Sequence, residues 1–127
     1  MSEVSDQSGR PLSHFAEVFV RNGAVVLRFT FKTIFDPLEI DQLQTEMERL
    51  VRETRAACFI LDMSRVEFIS SGFLGLIITA STTLKTLGAK VRLCSVAPGI
   101  LRVIKTTHLD KVLDLREDLD AATADLK

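Results

Sequence analysis

Apolar and polar positions change their period several times along the chain, and each change marks an element. "HFAEVFVRNGAVVLRFTF" carries β-branched and aromatic residues on both sides of Asn22-Gly23, a dipeptide suited to the positive backbone angles of a type I′ turn. The pattern predicts a hairpin, residues 15–21 with 24–31. In "FDPLEIDQLQTEMERLVRET", Ile40, Leu43, Met47 and Leu50 share one face at helical spacing. Asp36 stands at the cap position, Pro37 at the first helical position and Glu39 three residues after the cap, the order of a capping box. This reads as an amphipathic helix laid over a sheet. "CFILDM" ends at Asp62 and lacks the alternation of a strand with one wet face, so it reads as a central strand.

A second helix is predicted over Ser71–Leu87, from its length and from Leu74, Ile77, Ile78 and Leu84, with Gly88 ending it. "AKVRLCSV" is the next strand, "PGILRVIKTT" a short helix opened by Pro98, "KVLDL" a last strand and "EDLDAATADL" a final helix. Residues 1–13 are polar with Ser, Gly and Pro and read as a flexible arm, leaving 14–127 as a single domain. Strands that alternate with helices predict an α/β fold. The expected architecture is a mixed four- or five-stranded sheet with an N-terminal hairpin, packed against about four α-helices.

Composition narrows the function classes. The 127 residues are 46% hydrophobic, enough for a core, and 16 basic residues nearly cancel 17 acidic ones. A formal charge of -1 provides no field to gather nucleic acid or an anionic membrane. Cys58 and Cys94 sit inside apolar runs, which predicts buried reduced thiols and suits a reducing cytosol. "MSEVSDQSGRPLSH" has no apolar signal core, and the apolar stretch Phe73–Ile78 is far too short to span a bilayer. The expectation is a cytoplasmic protein with no membrane insertion and no direct contact with nucleic acid.

Enzyme signatures are missing: no G-x-S-x-G elbow, no phosphate-binding G-x-x-x-x-G-K-[ST] loop, no G-x-G-x-x-G and no H-E-x-x-H. His14 and His108 are far apart in sequence, and neither adjoins a carboxylate run, so both read as structural or solvated. A Ser71–His108 nucleophilic pair would need an orienting acid and an oxyanion hole, and nothing local supplies them. No catalytic residue, metal ligand or cofactor is expected, and the chain does not read as an enzyme. One stretch remains, "VEFISSGFLG", with two serines where strand gives way to helix. Either hydroxyl could simply cap the helix. The same position also welcomes a phosphate, because unpaired N–H groups and the positive end of the helix dipole face it, and phosphorylation adds about -1.5 to -2 charge.

With those residues in view, "FILDMSRVEFISSGFLGLI" resembles the central signature of STAS domains, the bacterial anti-sigma factor antagonists. That signature is an apolar strand ending in Asp, an apolar approach, Asp-Ser-Ser-Gly or a variant, and an apolar helix. Laid on without gaps, Leu61-Asp62 match the strand end, Val66, Phe68 and Ile69 the approach, Ser70 the frequent Asp and Ser71 the phosphorylatable serine. The resemblance runs on through "GAKVRLCSVAPGILRVIKTTHLDKVLDL" and back to Asp36, over roughly residues 15–127. Two departures stand out: Ser70 replaces the carboxylate, and the family glycine two places after the serine is Phe73, with Gly72 one place earlier. A shifted register would make Ser70 the acceptor instead.

The resemblance implies a partner-switching protein. Its unphosphorylated form would bind a GHKL-type serine kinase that is also an anti-sigma factor, and phosphorylation of Ser71, or alternatively Ser70, would end that binding. A PP2C-type phosphatase would restore it. Asp36, Ser70, Ser71, Gly72 and Phe73 are the implied partner-binding residues. An alternative is a STAS subunit that never switches, within a stressosome-like scaffold or as an accessory of a lipid-transport ATP-binding cassette. A small-molecule or nucleotide-binding module rests on fold analogy alone.

Overall fold

The computed structural model describes residues 10–12 and 15–126. Its framework starts from the predicted hairpin, strands β2 (Ala16–Arg21) and β3 (Ala24–Phe29), turned by Asn22 and Gly23 at φ 52° and 83°. A short strand β1 (Arg10–Leu12) pairs antiparallel with β2 ahead of it. The predicted arm therefore contributes residues 10–12 to the sheet. Three residues are too few to show a period, and the proline among them is tolerated because β1 is an edge.

Helix α1 (Pro37–Thr54) then leads to β4 (Cys58–Asp62), α2 (Ser71–Thr86) to β5 (Lys90–Cys94), and α3 (Pro98–Thr106) with a 3-10 turn (Leu109–Lys111) to β6 (Asp114–Arg116). A five-residue helix α4 (Leu119–Thr123) follows. The sheet order is β1-β2-β3-β4-β5-β6, antiparallel through β3 and parallel from β3 to β6. This is the expected mixed sheet with one extra edge strand. The last elements are shorter than their sequence pattern, because the 3-10 turn takes part of the "LDKVLDL" run and only Asp114–Arg116 reach the ladder.

The sheet buries both of its faces, unequally. On one side Val25, Leu27, Phe29, Phe59, Leu61 and Leu93 pack against Leu43, Met47, Phe73, Ile77, Leu84, Ile100 and Ile104 of α1, α2 and α3. On the other, Ala24, Val26, Cys58, Ile60 and Cys94 lie with Ala122 of α4. Every residue of β4 is buried, as its unbroken apolar run implies. Both cysteines are free and buried. Burial raises the Cys58 thiol and pushes Cys94 up to about 12, so both are held as neutral, inert thiols.

On that second face α4 is fastened by a clasp. The Arg92 side chain is only 3% exposed and donates two hydrogen bonds to the Asp125 carboxylate, at 2.8 and 2.9 Å, and one to the Ala122 carbonyl at 2.8 Å. The Asp125 bonds raise the guanidinium further, and the same bonds hold the Asp125 carboxyl below its ordinary value. Asn22 adds a bond to the Thr123 carbonyl at 3.1 Å. A buried cation is tolerable only when paired in this way.

Helix α2 buries two of the four positions that marked it, Ile77 and Leu84. Phe73, Leu76, Ile77, Ala80 and Leu84 are buried, whereas Leu74 and Ile78 are half-buried. "SGFLGLII" is apolar almost all round, so the period does not select a face; contact with α1 and β5 does.

Candidate functional site

The carboxyl ends of β3 and β4 deliver two loops, residues 30–36 and 63–70, to the N-termini of α1 and α2. Backbone bonds tie the loops to each other, since the Glu67 and Phe68 amides both donate to the Lys32 carbonyl, at 2.8 and 3.1 Å. Ser70 completes the tie. Its hydroxyl donates to the Ile34 carbonyl of the first loop and accepts from the Phe73 amide at 3.1 Å, which makes it the N-cap of α2. Asp36 caps α1 in parallel, accepting from the Leu38 amide at 2.9 Å with Pro37 following. Two helix N-termini thus lie side by side. A Cβ added at Gly72 would meet the Ile40 Cδ1 at 2.9 Å, a measure of how closely α2 approaches α1 here.

The two serines are therefore unequal. The Ser70 hydroxyl is partly buried and used as both donor and acceptor. Ser71, the first residue of α2, is exposed, and its side chain makes no hydrogen bond among the described residues. Its hydroxyl stands at the positive end of the α2 dipole, where negative charge is stabilised. Asp36 and Glu67 are exposed acids on the same tip.

Of the residues implied as partner-binding, Asp36, Ser70, Ser71 and Gly72 come together at this tip. Phe73 does not belong to the exposed surface. It is 0% exposed, and its ring meets Phe29 and Phe31 edge-on at 5.4 and 5.2 Å between centroids. Position three of the helix points down onto the sheet, so the aromatic that replaces the family glycine fills the core and anchors α2 from within. His108 is exposed, in the left-handed region at φ 62°, in the turn after α3 at the other end of the domain from the serines. His14 lies outside the described residues.

The residues that the periodicity did not single out are the exposed apolar ones. Phe35 is 73% exposed, Leu38 65% and Phe68 65%, all three flanking the caps or the serine pair. Leu38 lies off the Leu43–Met47–Leu50 stripe that α1 buries, and Phe35 precedes the cap of that helix. That misfit with the helical period was the available signal. Large apolar side chains at one tip, next to an unused hydroxyl and two acids, make a surface suited to protein contact. Among the described residues no helix is long and apolar enough to cross a membrane, and no cluster of His, Cys, Asp or Glu could hold a metal ion.

The class these features define is an α/β domain with a mixed sheet and a serine-capped helix tip. The family model for the STAS domain matches residues 16–122, and the chain belongs to that family. Solved structures agree on the fold. An anti-sigma factor antagonist from Mycobacterium paratuberculosis is 25% identical with a TM-score of 0.72, over 92% of this chain and 97% of its own. The NMR structure of a Thermotoga maritima protein reaches 0.77 at 19% identity, over 97% of each chain. The anti-sigma factor antagonist SpoIIAA of Bacillus in its unphosphorylated form reaches 0.68 at 17% identity, over 86% and 94%, and its phosphorylated form has also been solved.

Proposed function

We propose that this protein is an anti-sigma factor antagonist that works by partner switching, with Ser71 as its phosphate acceptor. The observation that carries the reading is the division of labour between the serines: Ser70 is committed to the cap and to the Ile34 carbonyl, while Ser71 is exposed and unengaged. In the unphosphorylated state Phe35, Leu38 and Phe68 supply apolar contact area to a GHKL-type anti-sigma serine kinase. The kinase moves the γ-phosphoryl group of ATP to the Ser71 oxygen, the hydroxyl proton leaves to a base on the kinase, and ADP is released.

The phosphate changes the tip without unfolding it. A dianion at a helix N-terminus favours the helix, yet its shell of water and its repulsion by acids on the partner oppose burial of the neighbouring phenylalanines. Dissociation follows, and a PP2C-type phosphatase resets the surface. In this scheme the protein is substrate and ligand rather than enzyme, acting in the cytoplasm on proteins alone.

The test is a pull-down of the GHKL kinases of the same cell, with ATP, by the wild-type chain, Ser71→Ala and Ser71→Asp. The expected result is kinase retained by Ser71→Ala, lost with Ser71→Asp, and held by wild type only until ATP has phosphorylated Ser71. Equal retention of a transporter or scaffold assembly by all three chains would replace switching with the non-switching alternative.

A further inference from the structure

The two edges of the sheet are built differently. At β1, Pro11 removes a donor from the outer ladder and blunts that edge. β6, Asp114–Arg116, has no such residue. Which of its backbone groups are free follows from the neighbouring strand. The Lys90 amide donates to the Ala57 carbonyl and the Met63 amide to the Cys94 carbonyl, so residues 90, 92 and 94 face β4 and Leu93 faces β6. Leu93, in register with Leu115, therefore bonds Asp114 and Arg116. The Leu115 N–H and C=O point away from the sheet, with no partner among the described residues. Side chains alternate across this edge. Leu115 packs with the core on the α1–α3 face, while Asp114 and Arg116 lie on the other, where Arg116 Nε donates to Asp114 at 2.7 Å. Beside Leu115 a cleft of about 300 Å³ opens, walled by Val96 and Leu101 and rimmed by Lys105 and Glu117.

We propose that β6 joins two copies of this chain edge to edge, antiparallel about a two-fold axis through Leu115. Asp-Leu-Arg, set against its own reverse, is self-complementary. Each Leu115 exchanges both backbone bonds with the partner's Leu115, as the hydrogen-bonded pair of an antiparallel ladder. Asp114 then lies opposite the partner's Arg116, and Arg116 opposite the partner's Asp114, in the non-hydrogen-bonded sites where Cα atoms come within about 4.5 Å. Two intrachain ion pairs become one ring of four alternating charges. On the other face the partner's Leu115 enters the cleft against Val96 and Leu101. A parallel pairing would set like charges side by side and is disfavoured. The contact is small, so the dimer is weak, with a Kd on the order of 100 μM, and the two-fold axis closes it against further growth. The serine tip, at the ends of β3 and β4, lies outside the contact, and the inference stands whether or not Ser71 is phosphorylated.

The test combines hydrogen exchange by NMR with sedimentation equilibrium, both on the full chain. The Leu115 amide should exchange freely in dilute solution and several-fold more slowly at millimolar concentration, while the Asp114 and Arg116 amides are protected at both. In sedimentation, Arg116→Glu and Asp114→Lys each place like charges opposite one another and should weaken dimerisation at least tenfold. Their equimolar mixture restores opposite charges at both sites and should recover the dimer. Asp114 also stands 3.6 Å from Arg92 Nε, so a lowered melting temperature of Asp114→Lys leaves the decision to Arg116→Glu and to the Leu115 amide. A wild-type chain that is monomeric at millimolar concentration, or a dimer that survives both substitutions, would overturn the interface. A mixture of two folded variants that stays monomeric would overturn the antiparallel register, as would Leu115 exchange that does not depend on concentration.

Discussion

The serine tip and the Arg92 clasp are both polar, and they differ in what the fold has left over. At the clasp the guanidinium is 3% exposed, and its two terminal nitrogens are bound to Asp125 and to the Ala122 carbonyl, while Nε makes no hydrogen bond and has Asp114 at 3.6 Å as its ion-pair partner. At the tip Ser70 is bound in the same thorough way, but Ser71 beside it is not, and Phe35, Leu38 and Phe68 remain exposed. The clasp spends its charged groups on one another within the fold, whereas the tip keeps an exposed hydroxyl beside exposed apolar side chains, the combination suited to contact with another molecule. Family signatures do not make that distinction, because both serines belong to the same motif.

The contrast can be broken at either end. Arg92→Ala should be the most damaging change to stability, about 3 kcal/mol, read as a lower urea midpoint together with faster labelling of Cys58 and Cys94 as α4 detaches. Phe35→Ala combined with Phe68→Ala should do the reverse. Kinase affinity falls about 100-fold in a titration calorimeter, while thermal stability stays within about 0.5 kcal/mol of wild type. A loss of stability comparable to that of Arg92→Ala would show that the tip phenylalanines are core residues.

Ser70→Ala removes the cap of α2 and the donor to the Ile34 carbonyl, and should cost about 1–2 kcal/mol by chemical denaturation. Alkaline pH gives a smaller effect. The Cys94 thiol ionises near 9.0 when unfolded but near 12 when folded, so above the lower value the unfolded chain binds fewer protons and stability falls as pH rises. The expected loss is roughly 1 kcal/mol between pH 9 and pH 10, absent in Cys94→Ala. At the acid end the sign reverses for Asp125, whose carboxyl the Arg92 bonds depress. Its contribution is present above the ordinary carboxylate value and lost as pH falls through the lower folded one, so Asp125→Asn should flatten the acid limb. The smallest effect is that of Ser71→Ala on stability, within about 0.5 kcal/mol.

Much of this was legible in the chain. Asn22-Gly23, Asp36-Pro37 and the unbroken "CFILD" run each specify a local conformation by their own chemistry, and the structure has all three. The serine pair was legible as a place but not as two roles. Which hydroxyl is engaged depends on the Ile34 carbonyl, 36 residues away in the chain and brought close only by the β3–β4 pairing. Phe73 was assigned to the contact surface by its neighbours in sequence, and the rotation of α2 puts it in the core. That rotation could not be read from a helix that is apolar on nearly every side. The clasp was invisible for a similar reason, since Arg92 and Asp125 look like ordinary surface charges until β5 and the chain beyond α4 are superposed.

The claim on which the rest depends is that Ser71 accepts phosphate and Ser70 holds the helix. It is tested most directly by incubating Ser70→Ala and Ser71→Ala with the kinase and labelled ATP and mapping the phosphate by mass spectrometry. The account predicts phosphate on Ser71 in the destabilised but folded Ser70→Ala protein, and none in Ser71→Ala. Phosphate on Ser70 in Ser71→Ala, with none on Ser71 in the companion variant, would contradict it.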